Sequence, residues 1–453
     1  MSTRREFLKQ SATIAAATVI ASNMKGINLL SKKKVVIIGA GFAGLSAGYK
    51  LMQNGYDVVI LEARNRIGGR VFSFKIDENP DLVIELGAEW VGASHERLIE
   101  MCKEFGLELK DNRFHSHLIY DNQYYPKGQW DYTAEWNQKF DEIMKNYANF
   151  TEEDKIRLDK MDWWRFLVNN GMKDRDLDIR EYLDSTDFGE TIRSVSAYAA
   201  LAEYAESSEY NEMDYKIVGG NGRLAEELAK RIGDGNILTS YAVEAVSQTS
   251  SGVTVNCANG KSFEGDFVVC TIPTYSVNKI KWTPGMPNEK VQALNALQYA
   301  RINKNATLFS ERFWNDEAFD MITDTHAHYY YHATKNQQGP HGVLISYNTG
   351  DKADMMSKHS KHHKEKLAVE NLQLAFGDVS SKALKNVNYY WGTDPYSAGA
   401  YALYGKGQWY GTMPVIKEKF VNVYFAGEHI ADWQGFMEGA INSGEEAAEA
   451  IMS

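Results

Sequence analysis

The residues with the plainest chemical content in this 453-residue chain are Gly39-Ala40-Gly41-Phe42-Ala43-Gly44 and, further on, Glu62; 23 residues separate Gly39 from Glu62. Glycines so spaced allow a tight turn and let backbone N–H groups come close to a pyrophosphate, while a helix starting there adds partial positive charge. Glu62 is placed to accept hydrogen bonds from a ribose diol. An acid at that position favours an unphosphorylated ribose, hence FAD or NAD over NADP. Other chemistry is poorly supported. Cys102, Cys257 and Cys270 lack metal-ligand spacing, His359, His362 and His363 sit in a lysine-rich stretch that reads as a solvated helix, and no Ser/His/Asp nucleophile arrangement stands out. No metal site is expected.

The elements that must hold this cradle are written around it. Val35-Val36-Ile37-Ile38 is a continuous apolar run, as in a strand buried on both faces, and a helical pattern through Leu45, Ala47, Gly48, Leu51 and Met52 ends near Asn54-Gly55. A second apolar strand, Asp57–Leu61, delivers Glu62. This order predicts an α/β chain with a Rossmann-like dinucleotide domain. The length predicts roughly two to three domains. With Lys+Arg 49 against Asp+Glu 60 the net charge is -11, and no basic stripe is present, so nucleic acid is excluded as an expected partner. Twenty-six Tyr, 19 Phe and 10 Trp suit an aromatic-lined pocket.

The segment Glu62-Ala63-Arg64-Asn65-Arg66-Ile67-Gly68-Gly69-Arg70 resembles the one that follows the second strand in the flavin-containing amine oxidases. That resemblance selects FAD and implies that Ala63, Arg64, Gly69 and Arg70 contact its adenosine and pyrophosphate portions. The far end resembles the same family: Val423–Glu428 reads as a strand, and Asp432–Ala440 opens a helix. By resemblance Gly427 and Glu428 meet the diphosphate and ribityl chain, and Met437 and Ala440 begin the helix aimed at the flavin. A helix N-terminus stabilises negative charge on the N1–C2=O edge of a reduced flavin. Val243 is expected on the adenine, and Gly87, Ala88, Glu89 and Trp90 beside the isoalloxazine ring. The implied FAD domain is discontinuous, 33–90, 216–275 and 415–453, with a substrate domain of α+β type and a helical part at 91–215 and 276–414.

Over the flavin, Lys304 precedes Phe313-Trp314 by the spacing of the amine-oxidase lysine that holds a water near flavin N5. The stretch from Trp391 to Tyr401 resembles one wall of an aromatic cage, and Phe436 falls at the other wall. Ala400 stands where animal monoamine oxidases carry the cysteine bonded to flavin, so the FAD is expected to be noncovalent. Amino-acid oxidases of the family carry an Arg near Gly87–Trp90; here Glu89 would repel a carboxylate and suggests a second ammonium on the substrate. The implied activity is flavin-dependent oxidation of a small-molecule amine to an imine, then aldehyde or ketone, with electrons passing to O2 as H2O2. Alternatives are an L-amino acid oxidase, an exported amine dehydrogenase using a periplasmic cytochrome, and a noncatalytic FAD-binding protein.

The chain opens Thr3-Arg4-Arg5-Glu6-Phe7-Leu8-Lys9 and then runs uncharged from Gln10 to Met24. Residues 1–32 resemble a twin-arginine export signal, which implies a periplasmic or exported protein. The apolar stretch is too short and too rich in Ala and Thr to span a bilayer core of ~30 Å, so no spanning domain is expected. Both cleavage near Ser22 and an uncleaved anchor stay open, as does a homodimer.

Overall fold

The computed structural model describes residues 32–78 and 81–453; the export-signal reading falls on residues outside these, apart from residue 32. Val35–Ile38 lies in the middle of a five-stranded sheet ordered Val423–Phe425, Phe267–Cys270, Lys34–Ile38, Asp57–Glu62 and Ile237–Thr239, every adjacent pair parallel. Buried on both faces, its strands read as apolar runs rather than alternating ones. The Phe42–Gln53 helix packs on one face beside the C-terminal helix Met437–Met452. Close approach is built into this contact. A Cβ on Gly444 would come within 2.2 Å of the Ala43 carbonyl oxygen, and one on Gly44 within 1.9 Å of that of Gly39.

Strands Val243–Thr249, Gly252–Cys257 and Ser262–Gly265 form an antiparallel meander over the parallel sheet. Lys281–Thr283 joins it, pairing in parallel with Ala245–Ser247. Residue 281 lies beyond the boundary expected at 275. A three-residue strand reading Lys-Trp-Thr has no pattern of its own, and only its pairing reveals its sheet.

A seven-stranded sheet supplies the other wall of the molecule. Its order is Ala383–Tyr390, Ile302–Phe309, Gly342–Thr349, Tyr329–His332, Phe319–Thr323, His115–Tyr120 and Gln123–Tyr125. Ile302–Phe309 and Gly342–Thr349 are buried along their whole length. One face of the first carries Asn305, whose amide donates to the Lys364 carbonyl of a covering helix; the other face carries Lys304 and points inward. Helices Ala134–Tyr147, Glu152–Asp159, Trp163–Asn169, Asp174–Phe188 and Ala197–Glu206 close the remaining side. Among the described residues no helix is long and apolar enough to cross a membrane.

Candidate active site

A single cavity, with about 1840 Å³ of empty space including its open mouth, runs from the glycine turn to the helical roof. Gly39, Gly41, Phe42 and Ala43 line one end. The Phe42–Gln53 helix starts there without a side-chain cap, so its first N–H groups are offered to the cavity. Gly41 is open toward it: a Cβ there would meet no protein atom closer than Gly69 Cα at 4.0 Å. The second helix, from Met437, also begins uncapped at the cavity, with Phe436, Met437 and Ala440 in its lining. Two helix N-termini thus converge on one void, which suits an extended, doubly anionic group. Trp90, whose buried indole N–H has no partner, lines the same void. These features fit FAD.

Glu62 is buried, with Oε2 accepting from the Ala40 N–H at 2.9 Å and Oε1 from the Arg64 N–H at 2.8 Å. Both bonds fix the carboxylate at the cavity edge while leaving lone pairs for hydroxyls. Val243 and Ala63 line an adjoining recess that shares Gly39, Glu62 and Arg64 with the main cavity. Gly44 lines neither, being packed against the turn itself. The arginines are more committed than the sequence suggests. Arg64 donates to Asp394 at 2.5 Å and Ser397 at 2.8 Å, and Arg70 to Glu428 at 2.6 Å and to the Ala400 carbonyl. Each brings oriented donors to the cavity wall with its charge already matched by a carboxylate. Glu428 is further held by the N–H groups of Ala402 at 3.2 Å and Gly435 at 2.8 Å, and Gly427 lines the wall beside it.

Midway along the cavity lie Gly87, Ala88, Glu89, Trp90, Lys304, Trp391 and Gly69. Lys304 is 3 % exposed and donates to the carbonyls of Glu85 at 3.1 Å and Gly87 at 2.8 Å and to Glu89 at 3.4 Å. Burial drives its ammonium below the usual lysine range, an effect Glu89 and Glu85 only partly offset. Glu89 accepts from Lys216 at 2.7 Å and from the Tyr331 hydroxyl at 3.0 Å as well. Burial pushes its carboxyl up, yet Lys216 and then Lys304 prevail and hold it below the ordinary range. This corrects the expectation that Glu89 faces a second substrate ammonium: two lysines already neutralise it. Glu85, beneath them, is pushed up to about 7 by burial.

Beyond Lys304 stand the two expected rings. Tyr401 donates its hydroxyl to the Thr186 carbonyl at 2.9 Å and lies 3.4 Å from the Tyr347 hydroxyl. Phe436 packs on His95 at 5.1 Å and Trp433 at 5.8 Å between ring centroids. Burial raises the Tyr401 and Tyr347 hydroxyls well above their usual range, so both stay protonated and neither is a base. Tyr347 was missed from sequence; register alone puts it opposite Lys304. Asp187, Asp320 and Gln434 were missed too and line the cavity.

The profile of the family described as flavin containing amine oxidoreductase matches residues 42–452. Flavin-containing amine oxidase A of Canis lupus familiaris is 27% identical over 92% of this chain and 85% of its own length. Amine oxidase B of Homo sapiens is 26% identical over 93% and 86%. In structure, putrescine oxidase bound to putrescine superposes with a TM-score of 0.83 at 21% identity, covering 93% of this chain and 99% of that one. Cyclohexylamine oxidase from Brevibacterium oxydans gives 0.81 at 21%, over 93% and 98%.

Proposed function

The chain belongs to the flavin-containing amine oxidoreductases, and from that premise we propose how its own residues carry out the flavin-dependent oxidation of amines that the family performs. FAD bound in the cavity would supply the two-electron acceptor for the C–H bond beside nitrogen and the route of that electron pair to O2 as H2O2. The protein's part is to bind, orient and desolvate. The Gly41 turn and the two uncapped helices hold the anionic portion, Glu62 takes the ribose, and the recess at Val243 takes the adenine. No cysteine or histidine lines the cavity among the described residues, and Cys102, Cys257 and Cys270 are buried thiols elsewhere. That supports a noncovalent cofactor.

An amine reaches the slot between Tyr401 and Phe436 as an ammonium. Removal of water from around it lowers its pKa, so the slot favours the neutral form whose lone pair becomes the C=N bond as the C–H bond breaks. The protonated state of Tyr401 and Tyr347 agrees with a slot that works without a dedicated base. Lys304, its three N–H groups taken by two carbonyls and Glu89, is a fixed cation in the cavity wall that stabilises negative charge forming beside it. Among the described residues the only arginines in the lining are Arg64 and Arg70, each paired with a carboxylate, which favours amines over amino acids.

The observation carrying this reading is the single cavity joining the glycine cradle, a buried lysine and two aromatic walls. Peroxide release on adding amines, with little on adding L-amino acids, is the expected outcome; the reverse order of activity would overturn it. On sequence alone we also propose that Arg4-Arg5 sends the folded chain by the twin-arginine route to the periplasm. Loss of export in an Arg4→Lys, Arg5→Lys double variant tests this, and unchanged export contradicts it.

A further inference from the structure

The cavity that contains the aromatic slot is also lined by acids. Asp187, Asp320 and Glu203 all line it; Asp320 and Glu203 are buried and Asp187 is half-buried. Asp320 is 0 % exposed; its Oδ2 accepts from the Tyr329 hydroxyl and from Ser116 at 3.1 Å, but its Oδ1 has no hydrogen-bond partner. Asp187 Oδ2 accepts from Tyr204 at 2.6 Å and Asn211 at 3.2 Å. The Tyr204 hydroxyl also lies 2.8 Å from Asp184, so one proton serves two carboxylates. Asp184 has its own cation, Arg180 at 2.9 Å, together with the Trp163 N–H at 2.6 Å. Among the described residues no lysine or arginine forms an ion pair with Asp187 or Asp320. A buried carboxylate oxygen without a donor is costly, and is kept where something else comes to cover it.

The location says what that something is. Tyr401 is tied to the carbonyl of Thr186, one residue before Asp187, so the acidic lining adjoins the slot. Three strands across the sheet from Lys304, in register through Tyr347 and Tyr329, stands Ile322; Asp320 is two residues along that strand, on the order of 16 Å from Lys304 at ~4.8 Å per strand and ~3.4 Å per residue. Leu183, Phe188 and Met213 line the cavity as well and offer an apolar surface. An ammonium supplies charge and three donors, and a methylene chain suits those side chains.

We propose that Asp187 and Asp320 form an anionic subsite for a second ammonium, and that the preferred substrates are linear diamines or polyamines. The inference rests on the amine-oxidation reading and names its substrate class. One nitrogen sits between Tyr401 and Phe436 for oxidation, and the distal one pairs with the two carboxylates. The site differs from the Glu89 position, whose charge is spent within the protein.

The test uses the FAD-loaded enzyme with a ladder of α,ω-diamines, each compared with the monoamine of equal length. At least one diamine should exceed its monoamine roughly thirtyfold in kcat/KM, and Asp187→Asn and Asp320→Asn should each collapse that ratio toward one, as loss of one partner of a buried charge pair implies. Calorimetric titration with a diamine lacking hydrogens beside its nitrogens provides a readout free of turnover. It should bind the parent and bind each variant at least about tenfold more weakly. Equal use of monoamines and diamines, or a diamine preference that survives both substitutions, overturns the subsite. If no amine reduces the flavin, the oxidation reading itself fails, and the titration still judges the subsite.

Discussion

Glu89→Gln separates a carboxylate that serves the protein from one that would serve the substrate. Glu89 lies between Lys216 at 2.7 Å and Lys304 at 3.4 Å, and the three side chains are nearly or wholly out of water. Glu85 nearby, pushed up to about 7 by its burial, compensates them only in part. Removing one member of a buried charge pair costs about 3–5 kcal/mol, chiefly for the charge left behind. Gln keeps an acceptor oxygen, Lys216 keeps the Ala333 carbonyl at 3.1 Å, and Lys304 keeps two carbonyls and can shed its proton; these place the loss at the lower end, about 3 kcal/mol. For a chain of this length the melting entropy is on the order of 1 kcal/mol per kelvin, so Tm should fall by about 3 °C. The assay is thermal unfolding at matched, saturating FAD, with diamine-to-monoamine kcat/KM ratios measured in parallel. Adding Lys216→Met to Glu89→Gln removes one stranded charge and should recover part of the loss, a coupling visible in a double-mutant cycle. An unchanged Tm, no recovery, or a collapse of the ratio like that expected for Asp187→Asn would refute the assignment and return Glu89 to the substrate.

Three further outcomes follow from the same geometry. Gly41→Val should fold but lose FAD affinity by about 30- to 100-fold, because its side chain enters the cofactor space rather than protein, whereas Gly44→Ala, with its Cβ 1.9 Å from the Gly39 carbonyl oxygen, should fail to accumulate as folded protein; fluorescence titration of FAD and far-UV circular dichroism distinguish the two. Lys304→Met should slow reoxidation by O2 on the order of tenfold or more by removing a fixed buried cation, with a smaller effect on reduction by amine; equal effects in stopped-flow traces would remove that role. Asp187 is pushed up to about 7 by burial and then by Asp184, against Tyr204, Asn211 and Arg180; Asp320 is pushed up to about 7 by burial, with Asp316 adding and Tyr329, Ser116 and Lys335 opposing. Raised carboxyls are neutral below that value, so the diamine-to-monoamine kcat/KM ratio should be full above pH 7 and fall as the pH drops through it; a ratio flat with pH contradicts this.

The cofactor end was legible because its signals are local. The strand, turn and helix around Gly39 and Gly41 are contiguous, and the run of Val35–Ile38 announces a strand covered on both faces. Lys304 was legible only through its family-like spacing to Phe313-Trp314; its place in the cavity depends on the pairing of Ile302–Phe309 with Gly342–Thr349, which also brings Tyr347 beside it. Glu89 shows the limit most clearly. Its type was readable, but its partner Lys216 is 127 residues away, and without it the carboxylate looked free for a substrate. Asp187 and Asp320 sit on a helix and a strand whose local patterns show nothing unusual. Only the fold reveals that both line one void and that Asp320 keeps one buried oxygen unpartnered.

The most direct measurement is anaerobic addition of an amine to the purified yellow protein, followed by acid precipitation. The visible flavin band should bleach, hydrolysis of the imine should yield a carbonyl product, and all the flavin should appear in the supernatant. A colourless protein, a band that no amine bleaches, or flavin that precipitates with the chain would contradict the account.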